Sequence, residues 1–177
     1  MALEWSLSAM QDSVARCGQV GAWDAGGAAA AVSEAVWWVT LVDATLVRYH
    51  PGAYDAVLAS QETGQRRAVE GTLAGLRFVR NQMGYQLDPA EFLTPGNSGA
   101  AERAGGWAWQ RLPAPPLGSL PPHARRWERG RYRAYQAWLA GHTVTGVFGH
   151  AATFLELAFA HTAPSAAPVA AVAAQGK

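Results

Sequence analysis

The segment AAAAVSEAVWWVTLVDATLVRY, residues 28–49, is the clearest indication of the fold in the sequence. It contains neither proline nor glycine, and its apolar residues recur at the three- and four-residue steps of one helix face. The tripeptide His50-Pro51-Gly52 ends the pattern, because a residue that precedes proline is pushed out of helical geometry. The segment therefore predicts a long helix with one apolar face.

The chain on either side of this segment predicts further helices. Weaker helical patterns occur at residues 3–16, 54–60, 62–87, 123–140 and 143–161. Residues 93–122 are rich in proline and glycine and predict a long connection, with one short extended piece at Trp107–Trp109. The small side chains of residues 162–177 predict a disordered tail. We therefore expect an all-α bundle of five or six helices, in a single domain over residues 1–161.

The composition excludes several classes of protein. Half of the 177 residues are hydrophobic and 15% are charged, so enough apolar surface is available for a core and the chain is not expected to be disordered. Cys17 is the only cysteine, which excludes a disulfide scaffold. Neither a glycine-rich phosphate loop nor a metal-ligand spacing is present, so we expect no cofactor and no metal.

No stretch approaches the roughly 18 apolar residues that a membrane span requires. The longest candidate, Ala35–Val47, is interrupted by Asp43, and the N-terminus lacks the basic start of a signal peptide. We therefore expect a cytoplasmic protein that does not contact a membrane.

The net charge of +1 conceals an asymmetry between the two halves of the chain. Residues 1–88 carry six arginines and nine acids, a net charge of −3, whereas residues 89–177 carry a net charge of +4. Residues 125–133 alone hold five arginines against Glu128. Such an asymmetry predicts an anionic partner for the basic half, or two halves that face each other.

On a helix, Arg126, Arg129 and Arg133 share one face, and the aromatic residues Tyr132 and Tyr135 share another. Arginines interleaved with aromatic residues suit phosphate contact and base stacking. The alternative is an amphipathic helix that docks through its aromatic side and leaves its arginines in water. Both readings stay open from the sequence alone.

Two charged residues stand where apolar residues are expected. Asp43 lies in the apolar stripe of the helix over residues 28–49, and Arg80 lies in that of the helix over residues 62–87. Because a buried charge is costly unless it is paired, we expect Asp43 to pair with Arg80. Either charge could instead face a cleft, and Arg77, Asn81 and Tyr85 line up on the neighbouring face.

The segment GLRFVRNQMGY, residues 75–85, resembles the Arg-Asn-x-x-x-His signature of HEPN domains. The resemblance covers residues 32–88. HEPN domains are small helical bundles, usually dimeric, and many are metal-independent ribonucleases of toxin–antitoxin, phage-defence or RNA-processing systems. The resemblance implies a catalytic set of Arg80, Asn81 and Tyr85, and a homodimer whose RNA site lies at the subunit interface. The chain also resembles actinobacterial proteins, a likeness that implies no function.

Tyr85 departs from the signature, which has histidine at this position. Cleavage of RNA by its own 2′-hydroxyl requires a proton acceptor near neutral pH, and tyrosine, with a pKa of about 10, is poorly suited to accept that proton. Another residue would then supply the base, or the protein binds RNA without cleaving it, or the motif is structural. Three histidines are candidate replacements, although no spacing singles one out: His123, His142 and His150.

The leading hypothesis is an RNA-directed HEPN-like protein. Its site would contain Arg80, Asn81 and Tyr85, with Asp43 and Arg77 beside them and Arg126, Arg129 and Arg133 as the anion-binding surface. A second hypothesis is a non-enzymatic module that binds a protein partner, in which Asp43 and Arg80 form a structural ion pair. A third is a small-molecule binder whose aromatic side chains line a cavity.

Overall fold

The computed structural model describes residues 2–85, 88–96, 106–116, 118 and 120–162, and these ranges contain six α-helices. The helices are α1 (Ala2–Cys17), α2 (Ala25–Tyr49), α3 (Pro51–Ser60), α4 (Thr63–Tyr85), α5 (Pro122–Trp138) and α6 (Val144–Ala160). A 3₁₀ helix, Pro89–Phe92, precedes two three-residue strands, β1 (Leu93–Pro95) and β2 (Trp107–Trp109). The predicted all-α bundle of five or six helices is confirmed.

Helix α2 begins three residues earlier than the sequence predicts. Gly26 and Gly27 argue against a helical first turn, since glycine is unfavourable in helices. The side chain of Asp24 caps the helix by accepting a hydrogen bond from the amide of Gly27 at 2.8 Å. This cap stabilises the first turn in spite of its glycines.

Every one of the six helices contributes to one hydrophobic core, and α2 lies at its centre. Helix α2 contacts α1, α3, α4 and α6, and it buries Val36, Val39 and Leu46 among them. A second part of the core is aromatic. The ring of Tyr135 on α5 lies 5.5 Å from that of Phe78 on α4 and 6.3 Å from that of Trp109, measured between centroids.

The predicted extended piece Trp107–Trp109 is the strand β2, and it lies inside the predicted connection 93–122. It pairs antiparallel with β1 and also contacts the turn between α5 and α6. The amide of Gly141 in that turn donates to the carbonyl oxygen of Trp109 at 2.7 Å. Gly141 has a φ of 86°, a conformation that side chains rarely adopt, so the turn requires glycine. Of the predicted tail, residues 163–177 lie outside the described residues.

Helices α4 and α5 approach closely because α4 has glycines at the contact. A Cβ atom on Gly75 would lie 2.5 Å from Cδ1 of Leu139 and 3.1 Å from the Cα atom of Tyr135. A Cβ atom on Gly71 would lie 2.2 Å from the ring of Trp138. Only glycine fits these positions, and the close contact places the polar side chains of α4 beside those of α5.

Among the described helices, α2 is long and apolar enough to cross a membrane by length and composition, although no stretch of the sequence was expected to approach a membrane span. The reason is that the most apolar 18-residue window of α2 has a mean hydropathy of 1.4 in spite of the charged residues in this helix. Half of that window is buried inside the protein, as expected for a central core helix. The core helix of a soluble protein meets the same criterion.

Candidate functional site

Asp43 on α2 is fully buried and holds two partners from neighbouring helices. Its Oδ1 atom accepts a hydrogen bond from the hydroxyl of Tyr54 at 3.0 Å, and its Oδ2 atom accepts one from Nε of Arg77 at 2.7 Å. Nη2 of Arg77 also contacts Oδ2. Burial raises the pKa of Asp43, and the charge and hydrogen bond of Arg77 partly offset this increase.

The prediction that Asp43 pairs with Arg80 is therefore wrong. The cation that reaches Asp43 is Arg77, one turn earlier on the same helix. Periodicity identifies the faces of two helices but not the register in which they pack, and a long arginine side chain reaches from the edge of a stripe. The expectation that Asp43 has a charged partner is correct, although the partner is a different residue.

Arg80 contacts Trp37 of α2 instead of Asp43. Its guanidinium stacks over the ring of Trp37 on α2, with Cζ 4.5 Å from the ring centroid. Trp37 is 51% exposed, and Arg80 is half-buried. The charge that seems misplaced in the apolar stripe is thus held at the surface of the bundle by a cation–π contact.

Asn81 follows Arg80 on α4, but its side chain contacts α5 instead of α2. Its Nδ2 atom donates to Oε1 of Glu128 at 2.7 Å, and Nη1 of Arg131 contacts the same oxygen at 3.0 Å. Arg80 and Asn81 therefore bind to different helices. The side chain of Tyr85 lies outside the described part of the chain. Of the expected catalytic set, the structure therefore describes the contacts of Arg80 and Asn81.

The arginines of α5 divide into two groups. Arg125 donates to the carbonyl oxygens of Leu120 and Gly118, and Arg131 pairs with Glu128. The other three are exposed and contact no charged partner among the described residues: Arg126, Arg129 and Arg133. We call these three residues the arginine surface. They line a shallow concavity of about 630 Å³ together with Arg125 and Gly130.

A second concavity, of about 700 Å³, lies between α4 and α5, and we call it the α4–α5 groove. Its lining comprises Ala74, Arg77, His123, Arg126, Trp127, Gly130 and Arg131. Arg126 and Gly130 line both concavities, so the groove and the arginine surface are continuous. Trp127 is 69% exposed, which is unusual for so large an aromatic side chain and leaves its ring accessible.

Sequence reasoning singled out neither Trp127 nor Arg131 as a site residue. A signal was present, because His123, Trp127 and Arg131 follow one another at four-residue steps and therefore share one side of α5. Of the three candidate histidines, His123 is the one that lines the groove. His142 and His150 are exposed on other elements.

Other chemistry has little support in the described residues. They contain no cluster of three histidine, cysteine, aspartate or glutamate residues that could hold a metal ion. Cys17 is buried, and burial raises the pKa of its thiol to about 12, so it is poorly suited to be a nucleophile.

Comparison with known proteins gives no match to a protein-family model, to a curated protein or to a solved structure. The resemblance of residues 75–85 to the HEPN signature therefore stays a prediction.

Proposed function

We propose that this protein is a cytoplasmic RNA-binding protein that holds single-stranded RNA on the arginine surface without cleaving it. The observation that carries the proposal is the exposure of three arginines on one face of α5, none of which has a charged partner among the described residues. The charges are therefore available to an anionic ligand.

The spacing of these arginines suits an extended single strand of RNA. With a rise of 1.5 Å per residue, Arg126, Arg129 and Arg133 follow one another at about 4.5 and 6 Å along the helix axis. They form a row rather than a closed cavity, and a row of cations favours a polyanion over a small ligand. The exposed ring of Trp127 lies beside this row, and unpaired bases stack on exposed aromatic rings.

The geometry favours binding over cleavage. Arg80 stacks on Trp37 of α2, whereas Asn81 donates to Glu128 of α5, so the two residues engage different neighbours. A cleaving site needs its polar groups around one phosphate together with a base near neutral pH. Among the three candidate histidines, His123 is the one that lines the groove, so it would be the proton acceptor if the RNA were cleaved.

The proposal is tested by fluorescence anisotropy with a labelled single-stranded RNA. Three phosphate contacts predict that affinity falls about 20-fold between 50 and 200 mM salt, since each contact to a single strand contributes about −0.7 to the logarithmic slope. Replacing Arg126, Arg129 and Arg133 by alanine should remove most of this dependence. A matched variant replaces three arginines that are exposed on other helices, Arg48, Arg66 and Arg67, by alanine. It loses the same charge and should bind RNA like the wild type.

Two results would contradict the proposal. Equal affinity in both triple variants would show that net charge, rather than the arginine surface, binds RNA. Cleavage of the labelled RNA by the wild type and its loss in His123→Ala would show that the protein is a ribonuclease. The homodimer, a protein partner and a role in a toxin or defence system stay predictions.

The second candidate is the interaction module, and exposed tryptophans favour it. Trp5 packs edge-on against Trp38 with ring centroids 5.1 Å apart, yet Trp5 is largely exposed. Exposed aromatic side chains are enriched at protein interfaces. The structural ion pair of this candidate is Asp43–Arg77. If wild-type protein does not bind RNA at low salt, the interaction module becomes the better hypothesis.

A further inference from the structure

We propose that the α4–α5 groove is a base-binding subsite, in which one unpaired base of the RNA stacks on Trp127 while Arg77 binds the adjoining phosphate. This inference rests on the proposed function and extends it, because it assigns a nucleotide subsite to residues outside the arginine surface. The groove volume of about 700 Å³ lies within the range of small-ligand sites.

Arg77 is held in a fixed orientation before any ligand arrives. Its Nε and Nη2 atoms are bound to Oδ2 of Asp43, and Tyr54 holds the other oxygen of that carboxylate. The side chain of Arg77 is nevertheless 38% exposed and lines the groove. A guanidinium has five N–H donors, so three remain for a phosphate. A cation that is already immobilised loses little further side-chain entropy when it binds.

Trp127 supplies the surface for the base. It is the only tryptophan among the described groove residues, and four-residue steps place it beside Arg131 on the same side of α5. Every base has a π-face, so stacking on an indole binds a base with little dependence on sequence. The combination of an accessible ring with arginines on both helices matches a nucleotide better than it matches an acidic peptide, which would leave the ring unused.

The junction between groove and arginine surface is open. Gly130 lies at this junction, and a Cβ atom built on it would meet no atom within 4 Å. A strand bound along Arg129 and Arg133 can therefore pass over Gly130 and place one base in the groove. The same open space allows a substitution at Gly130 that does not disturb the packing of the protein.

The first test replaces Trp127 by alanine and measures RNA affinity by anisotropy. Loss of one stacked base predicts an affinity about tenfold lower, with the salt dependence of the arginine surface unchanged. Trp23→Ala is the matched control, because Trp23 is 96% exposed and lies before α2, outside the groove. It should bind RNA like the wild type.

The second test places a charge at the junction. Gly130→Glu should lower RNA affinity at least tenfold, whereas Gly130→Gln, of nearly the same size, should lower it much less. Arg77→Lys tests the phosphate contact: it keeps a cation beside Asp43 but loses the planar fork, so we expect a several-fold loss of affinity in a folded protein.

The outcomes separate this inference from the proposed function. Wild-type affinity in Trp127→Ala and Arg77→Lys, with a loss in the variant that lacks Arg126, Arg129 and Arg133, would overturn the base-binding subsite and leave the RNA-binding proposal intact. Absence of RNA binding by the wild type would overturn both. Tryptophan fluorescence gives a further outcome, in which the part of the quenching that Trp127→Ala abolishes is assigned to Trp127. If a free nucleotide produces this part as strongly as RNA does, the groove binds free nucleotides rather than one base of an RNA strand.

Discussion

The two faces of α5 meet different requirements. On the inner face, Tyr135 is fully buried, as is Leu139 directly after the helix, and both pack against Gly75, where no additional carbon atom fits. On the outer face, the arginine surface is exposed and Gly130 borders open space. Packing therefore accounts for the inner face, whereas the fold would accept almost any polar residue on the outer one. The shared positive charge of the outer face points to a ligand rather than to stability.

The arginines of the molecule show the same contrast between buried contacts and solvent exposure. Arg77 is bound to a buried carboxylate, and the arginines of the outer face contact no charged partner among the described residues. If the contrast is correct, substitutions on the inner face lower the free energy of unfolding and loss of the outer arginines lowers the affinity for RNA, whereas Arg77, which binds Asp43 and also lines the groove, affects both.

Arg77→Met should cause the largest loss of stability. It leaves Asp43 buried without a cation, and removing one partner of a buried pair typically costs about 3–5 kcal/mol. Protonating the carboxyl at pH 7 instead would cost about 4 kcal/mol, which sets a similar ceiling. Urea denaturation measures the effect. Arg67→Met on the exposed side of α4 is the control and should change the free energy of unfolding by less than about 0.5 kcal/mol.

The pH dependence of stability follows from the raised pKa of Asp43. The folded protein keeps the Asp43 proton at pH values where the unfolded chain, with an ordinary pKa near 3.8, has lost it. The contribution of Asp43 therefore makes the free energy of unfolding decrease as pH rises from about 4 through the folded-state pKa. In Arg77→Met the decrease should be steeper. In Asp43→Asn it should vanish, and parallel pH profiles for the wild type and Asp43→Asn would contradict the assignment.

A pair of glycine substitutions compares the two faces directly. Gly75→Ala should destabilise the protein by about 1–3 kcal/mol, because the added carbon would meet Leu139 and the backbone of Tyr135. Gly130→Ala should stabilise it by about 0.5–1 kcal/mol, because alanine favours helices and nothing obstructs it. Thermal unfolding of both variants measures the difference. A similar effect at the two positions would show that α4 and α5 do not pack as described.

The fold was predictable from the sequence to a greater extent than the site. Helical periodicity and the His50-Pro51 break placed α2 to within three residues, and the alternation Trp107–Trp109 indicated the strand β2. The same periodicity placed Asp43 and Arg80 in apolar stripes but assigned the wrong pair. Which cation meets Asp43 depends on helix register and side-chain reach, and neither is encoded in a pattern along one helix.

The groove was also beyond the reach of pattern reasoning. Arg77 and Trp127 are 50 positions apart, and they line one concavity only because Gly71 and Gly75 let α4 and α5 approach. The shared exposed face of Arg126, Arg129 and Arg133 on α5, in contrast, was predictable, since these residues lie on one helix at regular spacing, and their role in binding RNA stays a prediction. Residues that share one face of a helix can be identified from the sequence, whereas residues that meet between two helices can be identified only from the packing.

The cation–π contact between Arg80 and Trp37 should contribute less to stability than the contacts of Arg77 and Gly75. A cation–π contact at an exposed position contributes about 0.5–1 kcal/mol, so a double-mutant cycle with Arg80→Ala and Trp37→Ala should give a coupling energy in that range. The equivalent cycle with Arg80→Ala and Asp43→Asn should give a coupling near zero, because Asp43 binds Arg77 instead. A larger coupling to Asp43 than to Trp37 would restore the pair that the sequence predicted. It would also bring Arg80 into the inner region, where charges stabilise the fold, and leave Trp37 as an exposed ring without a cation.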